Sequence, residues 1–87
     1  MTNEEMVAEA TALREKDNRI VSVTFYHDGW LPNCYKYRAP GKCSILRIDT
    51  AGTFTKFALR IYDRKRSYGQ GPAVVAYSAK GGRLYSR

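Results

Sequence analysis

The chain has 87 residues, 44% hydrophobic and 26% charged, which gives room for one small domain (residues 1–87) with a modest core and is not the composition of a disordered segment. Its net charge of +7 is uneven: residues 1–20 carry five carboxylates against three bases, a net −2, whereas residues 21–87 carry twelve bases against three carboxylates, a net +9. No apolar run reaches the roughly 18 residues of a membrane helix, the acidic start at Thr2 to Glu5 is unlike a signal peptide, and two cysteines, Cys34 and Cys43, are too few for a disulfide framework. The expectation is a cytoplasmic protein with reduced thiols.

Thr2, followed three residues later by Glu5, fits the capping box that opens a helix. The acidic first turn suits the positive end of the helix dipole. Met6, Ala10 and Leu13 recur at i, i+4, i+7, with Val7 beside them, and form one apolar stripe. Asp17-Asn18 is a plausible stop, because Asn tolerates the left-handed conformation. A single helix of this length is marginal alone, so it is expected to lie across the apolar face of a sheet.

Arg19 to His27 alternates as a strand, with Val21, Val23 and Phe25 on one face and Ser22, Thr24 and Tyr26 on the other. Asp28-Gly29 opens a loop through Trp30 and Leu31; these two are read as covering a core edge, with a recognition anchor as the sharper alternative. Tyr35 to Arg38 alternates again, and Ala39-Pro40-Gly41-Lys42 suits a type II turn. That turn pairs Arg38 with Cys43, Tyr37 with Ser44, Lys36 with Ile45 and Tyr35 with Leu46. Tyr35 and Tyr37 then join Leu46 and Ile48 on the inner face, while Lys36 and Arg38 join Arg47 outside.

Cys43 to Asp63 reads as two strands joined at Asp49 to Gly52. In the second strand Phe57, Leu59 and Ile61 share the inner face, and Lys56, Ala58, Arg60 and Tyr62 the outer. A three-residue loop pairs Leu46 with Lys56 and Ile48 with Phe54 and mixes the faces. A loop of two or four keeps the apolar sets together, so four residues are expected, with Gly52 at positive φ and Phe54 at the rim of the outer face. Arg64-Lys65-Arg66 leads into a long loop, Ser67 to Pro72, that includes Tyr68. Ala73 to Tyr77 is a short apolar strand, Lys80 to Arg83 a turn, and Leu84-Tyr85 a last short strand. The expected class is α+β: one N-terminal helix on the apolar face of a four- or five-stranded antiparallel sheet, drawn as a meander.

The catalytic patterns are unfilled. The one histidine, His27, lacks a positioned nucleophile and an orienting carboxylate in the sequence. His27, Asp28, Cys34 and Cys43 match no zinc-finger spacing. No glutamate follows Glu15. Gly69-Gln70-Gly71 lacks the third glycine and the following helix of a dinucleotide loop. No enzyme activity, metal or cofactor is therefore expected.

What the pattern does specify is a surface. Lys36, Arg38, Arg47, Lys56 and Arg60 are expected on one sheet face, with Tyr26 and Tyr62 among them; Arg64, Lys65, Arg66 and Tyr68 extend the footprint. Basic side chains neutralise phosphates, and rings on a sheet stack on unpaired bases. The acidic helix is a poor major-groove reader and a poor membrane anchor. The reading is a DNA- or RNA-binding module for single-stranded or RNA-like ligands. The alternative is a small phage or mobile-element type of protein that inhibits a host protein or nucleoprotein complex through an acidic surface, an analogy of size and composition.

Overall fold

The helix begins where the capping box places it. In the computed structural model, which describes residues 2–27, 41–62 and 73–87, the Glu5 N–H donates to the Thr2 hydroxyl at 3.2 Å and the Thr2 N–H donates to the Glu5 carboxylate at 3.0 Å. α1 runs Asn3–Lys16 and buries Met6, Ala10 and Leu13, the expected stripe. It stops at Asp17, whose backbone is extended and whose N–H still donates to the Leu13 carbonyl. Asp17 in turn accepts hydrogen bonds from the Arg19 N–H and guanidinium. Arg14 donates to the Ile20 carbonyl, tying the last turn of the helix to the first strand.

Five strands follow: β1 (Ile20–Tyr26), β2 (Gly41–Ile48), β3 (Phe54–Tyr62), β4 (Val74–Ser78) and β5 (Arg83–Ser86). They form one antiparallel sheet in the order β3-β2-β1-β4-β5, with α1 packed on β1, β2 and β3. This is the expected α+β class. β1, β2 and β3 neighbour one another in sequence order, and β4 returns to the free side of β1, giving the order 4-1-2-3 of a Greek key with β5 added outside.

The core lies between helix and sheet: Met6, Ala10 and Leu13 against Ile20, Val23, Phe25, Leu46, Phe54, Val74 and Ala76. Val23 pairs with Leu46 on one side and Ala76 on the other, and Phe25 with Ser44 and Val74. Cross-strand partners share a face, so these pairs define the helix side of the sheet.

Four register expectations are corrected. First, the Asp49–Gly52 connection is the three-residue loop that the face pattern argued against: Ile48 pairs with Phe54 and Leu46 with Lys56. Local chemistry selects it. The Asp49 carboxylate accepts from the Ala51 and Thr53 N–H groups at 2.9 Å each, Asp49 N–H donates to the Thr53 carbonyl, and Gly52 takes φ +81°. A turn closed by a left-handed glycine is the usual three-residue hairpin. Second, the mixed faces are repaired by a β-bulge. Leu46 pairs with Lys56 but Ile45 pairs with Ala58, so Phe57 is an extra residue. Phe54 is thus core, at 2% exposure, while Phe57 leaves the core at 55%. Lys56 moves to the helix side, whereas Ala58 and Arg60 stay outside as expected.

Third, a bulge between Ile20 and Ser22 gives Ile20 the core position expected for Val21. Fourth, the segment Cys43 to Leu46 has no edge for a partner at Tyr35 to Arg38. β1 pairs with it on one side, with Tyr26 opposite Cys43, and β3 on the other, with Arg60 opposite Cys43. Gly41 and Lys42, expected in a turn, belong to β2. Tyr35 to Arg38 and Trp30 lie outside the described residues, as do Cys34 and the loop from Asp63 to Pro72. Among the described residues no helix is long and apolar enough to cross a membrane.

Candidate nucleic-acid interface

The face opposite the helix is built in rows. Pairing places Ser86, Val75, Thr24, Ile45 and Ala58 side by side across the five strands. The next row on the same face is Arg83, Tyr77, Ser22, Arg47 and Thr55. Between these rows, on the helix side, runs Tyr85, Ala76, Val23, Leu46 and Lys56.

Three bulges border the arginine row. Phe57 in β3 and the register shift at Leu84 in β5 lie just before it, and the shift at Val21 in β1 lies just after it. Bulges bend a strand and re-aim its side chains. Here they open a shallow groove of about 250 Å³ lined by Val21, Ser22, Ile45, Arg47, Phe57 and Tyr77. The Arg47 guanidinium sits 4.6 Å from the centre of the Phe57 ring, a cation–π contact that holds the ring against the sheet. Arg47 and Arg83 bracket Tyr77 and Ser22 at three strand spacings, about 14 Å.

The first row is closed rather than open. Val75 is 0% exposed and Thr24 6%, although both face away from the helix. On this face the row lies between Tyr26, opposite Cys43, and Tyr77, opposite Ser22. Burial pushes the Tyr26 phenol up, with Tyr77 and Cys43 adding to the effect and Arg83 opposing it. Burial also raises the Cys43 thiol, against a smaller opposite effect of Arg60. Cys43 is a free thiol and buried.

Arg47 and Arg60 fall on the expected face, and Tyr26 does too. Lys56 does not: its partner Leu46 is a core residue. Tyr62 pairs with Gly41 at the end of β3. Lys36, Arg38, Arg64, Lys65, Arg66 and Tyr68 lie outside the described residues. Three contributors were missed. The sequence pattern places Arg83 in a turn, Tyr77 in a short apolar strand and Phe57 on the inner face. The signal for Phe57 was present: the apolar positions 54, 57, 59 and 61 are spaced three, two and two, which a regular strand cannot place on one face.

Charge divides across the sheet. α1 presents Glu4, Glu5, Glu9 and Glu15 on the other side. In β1 to β5 and their described turns the one carboxylate is Asp49, at the β2–β3 turn. Among the described residues Arg47, Arg60 and Arg83 have no carboxylate partner, whereas Arg87 pairs with Glu9 and Arg19 with Asp17. Unbalanced arginines on one face produce a positive potential there.

At the far end of β1, on the helix side, His27 Nε2 lies 2.5 Å from the Ser44 hydroxyl. Ser44 is 0% exposed. The contact satisfies a buried hydroxyl and does not present its oxygen to a substrate. No group of three His, Cys, Asp or Glu side chains comes together among the described residues. No family model, curated protein or solved structure matches the chain.

Proposed function

We propose that this chain is a small non-enzymatic, cytoplasmic protein that binds single-stranded nucleic acid on the sheet face opposite its helix. The observation that carries the reading is the row Arg83, Tyr77, Ser22, Arg47, with Phe57 swung into it by a bulge and no carboxylate beside it. Arginines supply phosphate contacts, and rings on a sheet supply stacking surfaces for unpaired bases. A duplex keeps its bases stacked inside and offers this face its phosphates alone. Arg60 lies on the same face beyond Ala58. Arg64, Lys65 and Arg66 add charge on sequence grounds.

The test is a salt titration of oligonucleotide binding by fluorescence anisotropy. Three phosphate contacts give a slope of about −2 in log K against log salt for a single strand, at about −0.7 per contact. From 50 to 200 mM salt the affinity then falls about twentyfold. Replacing Arg47, Arg60 or Arg83 by Gln lowers the slope by about 0.7 each. Binding that is absent at 50 mM, or flat with salt, refutes the reading. A protein partner retained after nuclease treatment, with no oligonucleotide affinity, favours the inhibitor alternative.

A further inference from the structure

The sheet ends on β3, and among the described residues its outer edge has no partner strand. The bulge at Phe57 divides that edge in two. In the first half the extra residue and Lys56 interrupt regular pairing, two ordinary ways of keeping an edge from recruiting another strand. From Ala58 to Tyr62 the ladder is regular, pairing residue by residue with Ile45 back to Gly41. Within that half Leu59 and Ile61 sit on the helix side, yet they are 53% and 69% exposed. The β3 residue that the helix core takes up is Phe54, at the other end of the strand.

We propose that the Ala58–Tyr62 edge is a docking strand for an extended acidic segment of a partner protein, added to the sheet as a sixth, antiparallel strand. Register and charge define the occupant. Residues directly opposite share a face, and like charges directly opposite repel. A second copy of this chain that uses all five regular residues must centre its pairing on Arg60, which sets Arg60 against its own counterpart. Sliding by two residues in either direction leaves three paired residues, because one end runs into the Phe57 bulge or past Tyr62. Each copy also carries +7. A strand with a carboxylate opposite Arg60 and apolar side chains opposite Leu59 and Ile61 meets none of these costs. It neutralises the arginine and covers both apolar residues in one ladder. The recognition pattern is therefore apolar–acidic–apolar in an extended segment.

The experiment titrates the full chain with the peptide acetyl-Ser-Thr-Val-Glu-Val-Thr-Ser-amide and its counterpart with Lys in place of Glu, read by backbone amide shifts. The Glu peptide is expected to bind at sub-millimolar Kd with the changes confined to Ala58–Tyr62 and the neighbouring β2 residues. The Lys peptide is expected at least tenfold weaker, and Arg60→Glu inverts the preference. Arg60 also lies on the proposed nucleic-acid face, so Ile61→Thr supplies a second variant: peptide affinity falls several-fold while oligonucleotide affinity holds. Equal affinity for the two peptides, no binding of either, or sedimentation showing a dimer that Ile61→Thr dissolves would each overturn the proposal.

Discussion

The two phenylalanines of β3 exchange the roles that simple alternation gives them, and their truncation measures the exchange. Phe54 is 2% exposed in the core cluster, so Phe54→Ala leaves a cavity and costs about 3–5 kcal/mol. Phe57 keeps 55% exposure. Fully burying a phenylalanine is worth about 1.5–3 kcal/mol, so just under half of that, about 1 kcal/mol, is lost in Phe57→Ala. The exposed cation–π contact with Arg47 adds about 0.5–1 kcal/mol. The sum, about 1.5–2 kcal/mol, is roughly half the Phe54 cost. An 87-residue chain has a total stability of about 4–13 kcal/mol, so the difference decides whether a variant folds at all. Urea unfolding followed by far-UV circular dichroism reads both midpoints. If Phe54→Ala does not fold, the Phe54→Leu and Phe57→Leu pair must show the same order. A larger loss at position 57 than at 54 refutes the bulged register, and the arginine row with it.

Three further expectations follow, two from the helix cap and one from the buried thiol of β2. Thr2→Ala removes the cap and lowers stability by about 1 kcal/mol. The Thr2 backbone and hydroxyl hold the Glu5 carboxyl below its usual range, so its stabilisation is full above the ordinary glutamate pKa and fades as pH falls through the lowered folded value; the melting difference between wild type and Glu5→Gln therefore shrinks on acidification below about pH 4. Cys43 is buried with a raised thiol pKa, so in a Cys34→Ser background it reacts slowly with a disulfide reagent at pH 8 and quickly once urea unfolds the chain; fast reaction in the native protein refutes the burial.

The elements that local chemistry determines were legible in the sequence. Thr2 and Glu5 announce their own hydrogen bonds, and the Met6, Ala10, Leu13 stripe finds the sheet. β1, β3, β4 and β5 appear near their expected places. What alternation misjudged were the three bulges and the partners of β2. A bulge violates period two, so a reading based on period two reassigns every side chain from the insertion onward. At the Asp49 turn two rules conflicted. Keeping the apolar faces together asked for an even loop, whereas the Asp49 carboxylate and the left-handed Gly52 close an odd one. The carboxylate makes two hydrogen bonds to backbone N–H groups, and the face mismatch is corrected by one inserted residue at Phe57. Local turn chemistry therefore prevailed. Strand order was hidden for a different reason: β2 pairs with β1 across the long connection from His27 to Gly41, and no short-range signal reports such a pairing.

Phe57 also joins the two surfaces, and deleting it separates them. Before the bulge, paired residue numbers in β2 and β3 add to a constant; after it the constant rises by one. Removing Phe57 restores a single constant. Every other β3 residue then keeps its present face: Phe54 and Lys56 on the helix side with Leu59 and Ile61, and Thr55, Ala58 and Arg60 outside. The deletion variant is expected to fold with stability within about 2 kcal/mol of wild type, since it removes a half-exposed ring and leaves the core cluster intact. Deleting Thr55 also restores a single constant and keeps Phe54 opposite Ile48, but it sets Phe57 opposite Leu46 on the helix side and Lys56 outside, so it too removes the ring from the groove. In the Phe57 deletion the groove loses its wall and its stacking ring, so single-stranded affinity falls by about 1–3 kcal/mol, some five- to 150-fold. The Ala58–Tyr62 edge stays paired with β2 and gains regular neighbours, so affinity for the acidic peptide holds or rises. If both affinities fall together while the variant remains folded, Phe57 supports one shared site and the division of the sheet into a nucleic-acid face and a protein edge is wrong.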